Sequence, residues 1–162
     1  RLHPEVLHIH ATGSIEYEIA TAIYKKRGLD ACKNIEFLEY INDMPLKMAA
    51  ADVVVCRSGA NTVSELALMK KAALFIPSPN VTDNQQYKNA AAIEKQGGAM
   101  LIEEKDISRE KLNRMIVSLL DDAKLRAEMG EKIYTFAVPD ANRRIYEDIV
   151  CLTAQRKSKK VK

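Results

Sequence analysis

Arg57, Ser58, Gly59, Ala60, Asn61, Thr62 and Glu65 stand together in "DVVVCRSGANTVSELA", residues 52–67. Their types and spacing suit an anion attached to a polyol. An apolar run ends at Cys56, small residues follow, and an amphipathic pattern starts near Asn61. Ser58-Gly59-Ala60 offers little side chain, so a ligand can come close to the backbone. The first N–H groups of the helix that follows lack intrahelical partners and form an anion site suited to a diphosphate. Glu65 lies one turn inside, on the face of Asn61 by i, i+4 spacing. A carboxylate there accepts two parallel hydrogen bonds, as the 2′,3′-diol of a ribose donates. The same residues also read as a capping box, with Thr62 as N-cap and Glu65 at N3. Local sequence leaves both readings open.

A second polar stretch, "PSPNVTDNQQYKNAA", residues 77–91, carries Gln85, Gln86 and Asn89 in the first turns of a helix, with Gln85 and Asn89 on one face. Amides donate and accept, so they can read sugar hydroxyls, although such residues are also ordinary at an exposed helix start. His8 and His10 alternate on a strand and share a face. No third ligand follows at a matching spacing, so core or interface histidines are favoured over a metal pair. No Gly-Lys-Ser/Thr phosphate loop, Gly-x-Ser-x-Gly elbow or Asp-x-Asp pair is found in the sequence. Neither a metal nor a cofactor is implied.

These loops need elements to hold them. Strands are expected at Val6–His10, Ile35–Tyr40, Asp52–Cys56, Ala73–Pro77 and Ala99–Glu103. The Val-Val-Val run of the third suits a strand covered on both faces. Helices are expected at Ser14–Lys26 (with Ser14 as N-cap), Asp43–Ala50, Asn61–Lys70, Asn84–Gln96, Ser108–Asp121, Asp122–Ile133 and Asp140–Arg156. Alternating strands and helices give an α/β fold, a doubly wound parallel sheet with helices on both faces. Ligands of such sheets bind outside the carboxyl ends of the strands. Here those ends lead into Ala11–Gly13, Arg57–Thr62 and Ser78–Gln86.

A chain of 162 residues is long enough to bury a core and fits one domain, expected over residues 1–156. No run of about 18 apolar residues and no signal peptide is present. Cys32, Cys56 and Cys151 are odd in number and dispersed, which fits reduced thiols in a cytosol. The net charge is +3, but Arg156, Lys157, Lys159, Lys160 and Lys162 crowd the end, so the body is net acidic. Residues 157–162 read as a basic, disordered tail, either simply solvated or weakly drawn to an anionic membrane face. Without a basic stripe interleaved with aromatics, nucleic acid is not an expected partner. The chain begins at Arg1, close to a strand, as a piece of a longer protein would.

"YINDMPLKMAAADVVVCRSGANTVSELA", "ALFIPSPNVTDNQQYKNA" and "VPDANRRIYEDI" together resemble the carboxyl-terminal domain of the MurG family. Members transfer N-acetylglucosamine from UDP-N-acetylglucosamine to undecaprenyl-diphosphoryl-N-acetylmuramoyl-pentapeptide in peptidoglycan synthesis. The resemblance implies the Rossmann-like donor-binding half of an inverting GT-B glycosyltransferase, peripheral on the cytoplasmic face of the bacterial plasma membrane. It implies that Ile41 contacts uracil. Ala60, Asn61, Thr62, Val63, Ser64 and Glu65 would surround diphosphate, sugar and ribose, with Glu65 on the ribose hydroxyls. Gln86, with Gln85 and Asn89 beside it, would face the sugar, and Arg57 would lend structural or electrostatic support. Other GT-B transferases, a UDP-N-acetylglucosamine epimerase and a non-catalytic sugar-nucleotide module remain as alternatives.

Two departures stand out. The family usually has glycine at Lys70 and proline at Ala72, which implies a less rigid exit from the helix here. Its domain also opens with a strand and a Gly-Gly-Ser turn that this sequence does not contain, and the lipid-linked acceptor belongs to an amino-terminal domain. No catalytic residue is therefore expected in this chain. With the sheet ordered 3-2-1-4-5-6 and strand 1 lacking, Val6–His10 and Asp52–Cys56 are expected to face one another across a gap or to collapse together.

Overall fold

The computed structural model describes residues 3–159, and their side chains as far as residue 154. The backbone forms two compact units, residues 1–47 and 48–162. Strand pairing gives the reason. The strands form a two-stranded and a three-stranded sheet, with no ladder joining them.

The first unit is a single strand–helix–strand crossover. β1 (His8–Ala11) and β2 (Ile35–Leu38) run parallel, with His8 opposite Ile35 and Ala11 opposite Leu38. Between them lies α1 (Ser14–Lys26), whose N-cap is Gly13 rather than Ser14. Gly13 has φ 75°, a left-handed conformation that glycine adopts without strain. Aromatic rings fill the helix–strand contact. Tyr24 stacks on Phe37 at 4.2 Å, Tyr17 stacks on it at 5.3 Å, and the Tyr24 hydroxyl lies 2.6 Å from His10 Nδ1. His10 sits at the exposed edge of this aromatic contact, against Tyr24 and Phe37, rather than enclosed in a core. Ile15, Ile19 and Ile23 line the outer face of α1 and are exposed. No described residue of this unit is fully buried.

From there α2 (Met44–Ala50) leads into the second unit, with Pro45 accommodated in its first turn. There β3 (Val53–Cys56), β4 (Ala72–Phe75) and β5 (Met100–Leu101) form a parallel sheet in the order β3-β4-β5. Val53 pairs with Ala72 and Cys56 with Phe75, while Leu74 pairs with Met100. The helices are α3 (Ala60–Leu68), α4 (Gln85–Lys95), α5 (Arg109–Asp121), α6 (Ala123–Tyr134) and α7 (Ala141–Lys159). β4 is buried throughout and alternates between two cores. Ala73 and Phe75 meet Leu66 and Ala67 of α3, Ala90 and Ile93 of α4 and Ile133 of α6. Ala72 and Leu74 meet Leu119 of α5 and Met129 of α6.

Coverage of β3 is less complete than its valine run suggests, because Val55 is 42% exposed. Among the described residues β1 and β3 do not pair, and each has a strand neighbour on one side only. α7 continues through Lys159, so the basic stretch enters the helix, and residues 160–162 lie outside the described residues.

The exit of α3 is better fastened than the departures at Lys70 and Ala72 implied. Lys71 N–H donates to the Leu66 carbonyl and Lys70 N–H to that of Ala67, the paired bonds of a Schellman motif. Lys70 occupies the position that favours glycine, with φ 53°. Its ammonium pairs with Glu131 at 2.8 Å and sits 4.7 Å from the centre of the Tyr134 ring. These contacts offset a left-handed cost of about 1 kcal/mol.

Candidate functional site

At the exit of β3 the chain turns once and becomes a helix. The N-cap of α3 is Gly59, in extended conformation (φ −63°, ψ 150°), and Thr62 is the third helical residue. This removes the capping-box reading, since Glu65 lies a full turn beyond the N3 position such a box requires. Val63 N–H donates to the Gly59 carbonyl at 2.9 Å. The N–H groups of Ala60, Asn61 and Thr62 have no backbone partner among the described residues. Glu65 is exposed, and among the described residues its carboxylate has neither a hydrogen bond nor an ion pair.

Gly59 sharpens the picture. Its φ is one that any residue adopts, and a Cβ built on it meets nothing within 4 Å. Neither backbone strain nor packing calls for glycine here. The open space lies at the start of α3, where the three free donors are. Other helix residues are committed to the fold. Val63 is half-buried against the α3–α4 core, and Ser64 Oγ donates to the Ala60 carbonyl at 3.0 Å.

Behind the turn, Ser58 is completely buried. Its hydroxyl donates to the Gln86 carbonyl at 2.8 Å, and its own carbonyl accepts from Asn89 Nδ2 at 3.0 Å. Asn89 commits one of its two amide N–H donors to the protein, and its other N–H and Oδ1 have no partner among the described residues. Sequence spacing could not reveal a bond between residues 31 apart, and Ser58 showed only as a small residue. Gln86 Oε1 accepts from Ser78 N–H at 2.9 Å, which leaves its amide NH₂ without a partner among the described residues. Gln85 Nε2 donates to Asp83 Oδ2 at 3.1 Å.

Arg57 reaches sideways across the strand ends. Its Nη1 donates to the Ile76 carbonyl at 3.0 Å and pairs with Glu104, beyond β5. Before it, Cys56 lies under the core, and burial pushes its thiol up to about 12, so it stays protonated. A cleft of about 240 Å³ opens between the Pro77–Pro79 loop, Asn84, Tyr87 and Glu103–Lys105. Sequence reasoning missed Glu103 and Glu104, which follow a strand without any recognisable pattern. Asp83 and Asn84, both left-handed (φ 54° and 51°), turn the chain into α4 beside this cleft. Ten of the expected residues thus lie in the second unit around the ends of β3 and β4, while Ile41, half-buried, belongs to the first.

Residues 2–145 match the glycosyltransferase family 28 C-terminal domain. The chain belongs to this family. It is 43% identical over 141 residues to the UDP-N-acetylglucosamine–N-acetylmuramyl-(pentapeptide) pyrophosphoryl-undecaprenol N-acetylglucosamine transferase of Acetivibrio thermocellus, covering 87% of this chain and 37% of that protein. The transferase of the same name from Flavobacterium psychrophilum is 40% identical over 126 residues, covering 78% and 34% respectively. Among solved structures, Acinetobacter baumannii MurG superposes with a TM-score of 0.72 at 31% identity, over 86% of this chain and 39% of that one. The Rossmann-like α/β reading of family 28 holds for this chain. It spans little more than a third of the length of the curated relatives it matches.

Proposed function

We propose that the site at the end of β3 binds the diphosphate and ribose of UDP-N-acetylglucosamine, as the donor half of an inverting glycosyltransferase. One observation carries this reading. α3 opens on a glycine cap with three unpaired N–H groups and open space before them, and an unpaired carboxylate follows a turn later. Unpaired donors at a helix N-terminus favour an anion, and Glu65 suits a vicinal diol. Ala60, Asn61 and Thr62 supply backbone donors, with Val63 and Ser64 keeping the helix start in place. The amides of Gln85 and Gln86 face the sugar.

In the whole enzyme, the acceptor is undecaprenyl-diphospho-N-acetylmuramoyl-pentapeptide, the substrate class named for the curated relatives. Its hydroxyl attacks the anomeric carbon as UDP leaves, and the leaving diphosphate gains negative charge. Fixed dipoles at the start of α3 stabilise that charge most when it is greatest, which lowers the barrier. The work of this segment is to hold and polarise the donor, and the acceptor-activating group lies elsewhere. A lipid-linked acceptor brings the protein to the cytoplasmic face of the plasma membrane.

Calorimetry with UDP-N-acetylglucosamine tests the assignment. Glu65→Ala should weaken binding by about 10- to 150-fold, because hydrogen bonds to a charged group contribute roughly 1.5–3 kcal/mol. An unchanged affinity in that variant removes Glu65 from the site.

A further inference from the structure

Among the described residues, the only fully buried polar side chain is Ser58, and it lies at the candidate site. A hydroxyl taken out of water costs free energy unless it is hydrogen-bonded. Ser58 is satisfied through its bond to the Gln86 carbonyl, and Asn89 completes a return bond to the Ser58 carbonyl. Gln86 in turn holds Ser78 N–H through its side chain. Three segments distant in sequence are joined this way: the β3–α3 turn, the loop after β4 and the first turn of α4.

We propose that Ser58 and Asn89 are positioning residues that set the spacing between the start of α3 and the start of α4, and so determine selectivity for a sugar-bearing nucleotide over the bare nucleoside diphosphate. This rests on the donor reading above. The groups proposed for diphosphate and ribose all ride on α3, whereas the amides proposed for the sugar ride on α4. A ligand that engages α3 alone is indifferent to where α4 lies. One that spans both helices feels any shift between them, and a displacement of about 1 Å can cost 100-fold in a well-oriented site. Asn89 therefore acts through the backbone of Ser58 rather than through a hydroxyl of the ligand.

The two roles of Asn89 differ in a double-mutant cycle. Affinities for UDP and for UDP-N-acetylglucosamine are measured by calorimetry on the intact protein and on Ser58→Ala, Asn89→Ala and the double variant. The clasp predicts that each single variant keeps UDP affinity within about 3-fold and loses at least about 10-fold of the preference for the sugar nucleotide. The double variant should lose little more than either single one, since both break the same connection. Ser58→Cys, which keeps a weaker donor, should fall between wild type and Ser58→Ala, and it serves for the cycle should Ser58→Ala fail to fold.

Additive losses from the two positions, or a Ser58 variant with full preference, overturn the proposal and return Asn89 to direct contact with the sugar. Equal weakening of both ligands overturns it too, as general damage to the turn. If the wild-type protein binds neither ligand, the donor reading fails and the clasp's role in selectivity fails with it. Variants that lose both equally, in a protein that binds both, remove the clasp alone.

Discussion

Gly59 separates what the fold needs from what a ligand needs. Alanine fits its backbone angles and meets open space, and the gain of about 0.4–1 kcal/mol from restricting the unfolded chain is offset by alanine's poorer N-cap preference, so Gly59→Ala should leave stability nearly unchanged. The same methyl group enters the space before Ala60, Asn61 and Thr62, so UDP affinity should fall at least about 10-fold. Thermal unfolding and calorimetry on one preparation check both halves, and a stable variant with undiminished affinity removes the turn from the site. The serine and glycine were legible as a place for close approach. What could not be read was the partner of each side chain. Asn89 and Gln85 look alike as amides at a helix start, yet one is tied to a carbonyl 31 residues away and the other to nearby Asp83.

Local patterns fixed most helices well, because their signals lie within the helix or next to it. α1 begins at Ser14 and ends at Lys26 as expected, and the starts read at Ser108 and Asp122 are caps whose side chains accept from Lys111 and Leu125 N–H. Strands fared worse at their ends. β5 shortens to Met100–Leu101 because a strand ends where its neighbour does, which is a matter of register. The exit of α3 shows a second kind of non-local demand. Gly130 in α6 lies so close to Lys70 that an added Cβ would stand 2.4 Å from the Lys70 carbonyl oxygen. Gly130→Ala must push α6 away from the left-handed turn, at a cost near the upper end of the roughly 1–3 kcal/mol typical of overpacking. Chemical denaturation should show that loss. An unshifted midpoint would mean that α6 and the Lys70 turn are not held together as described.

Taken whole, the molecule is uneven. Among the described residues every fully buried apolar side chain belongs to the second unit, while the first relies on half-buried rings around Phe37. Its pH response follows from Tyr24 and from His10, which contacts the Tyr24 and Phe37 rings from an exposed position. Burial lowers the pKa of His10 from 6.5 and raises that of Tyr24 from 10.0. Below pH 6.5 the unfolded chain binds a proton that folded His10 resists, so stability falls with pH there. Above pH 10.0 the unfolded chain releases a proton that folded Tyr24 retains, so stability falls again as pH rises. Amide protection in β1 and β2 should therefore be greatest between those values, and His10→Gln should flatten the acid limb. An acid limb that persists in that variant assigns it to another group.

The open sides of β1 and β3 carry a cost of their own. Among the described residues, each has amide and carbonyl groups on that side without a strand partner, and where such a rim meets solvent it can template pairing with an extended peptide. As concentration rises, neighbouring copies become the most abundant source of such peptides. Colloidal behaviour is thus tied to whatever occupies those rims, and a molecule with them covered should tolerate crowding far better than one with them bare.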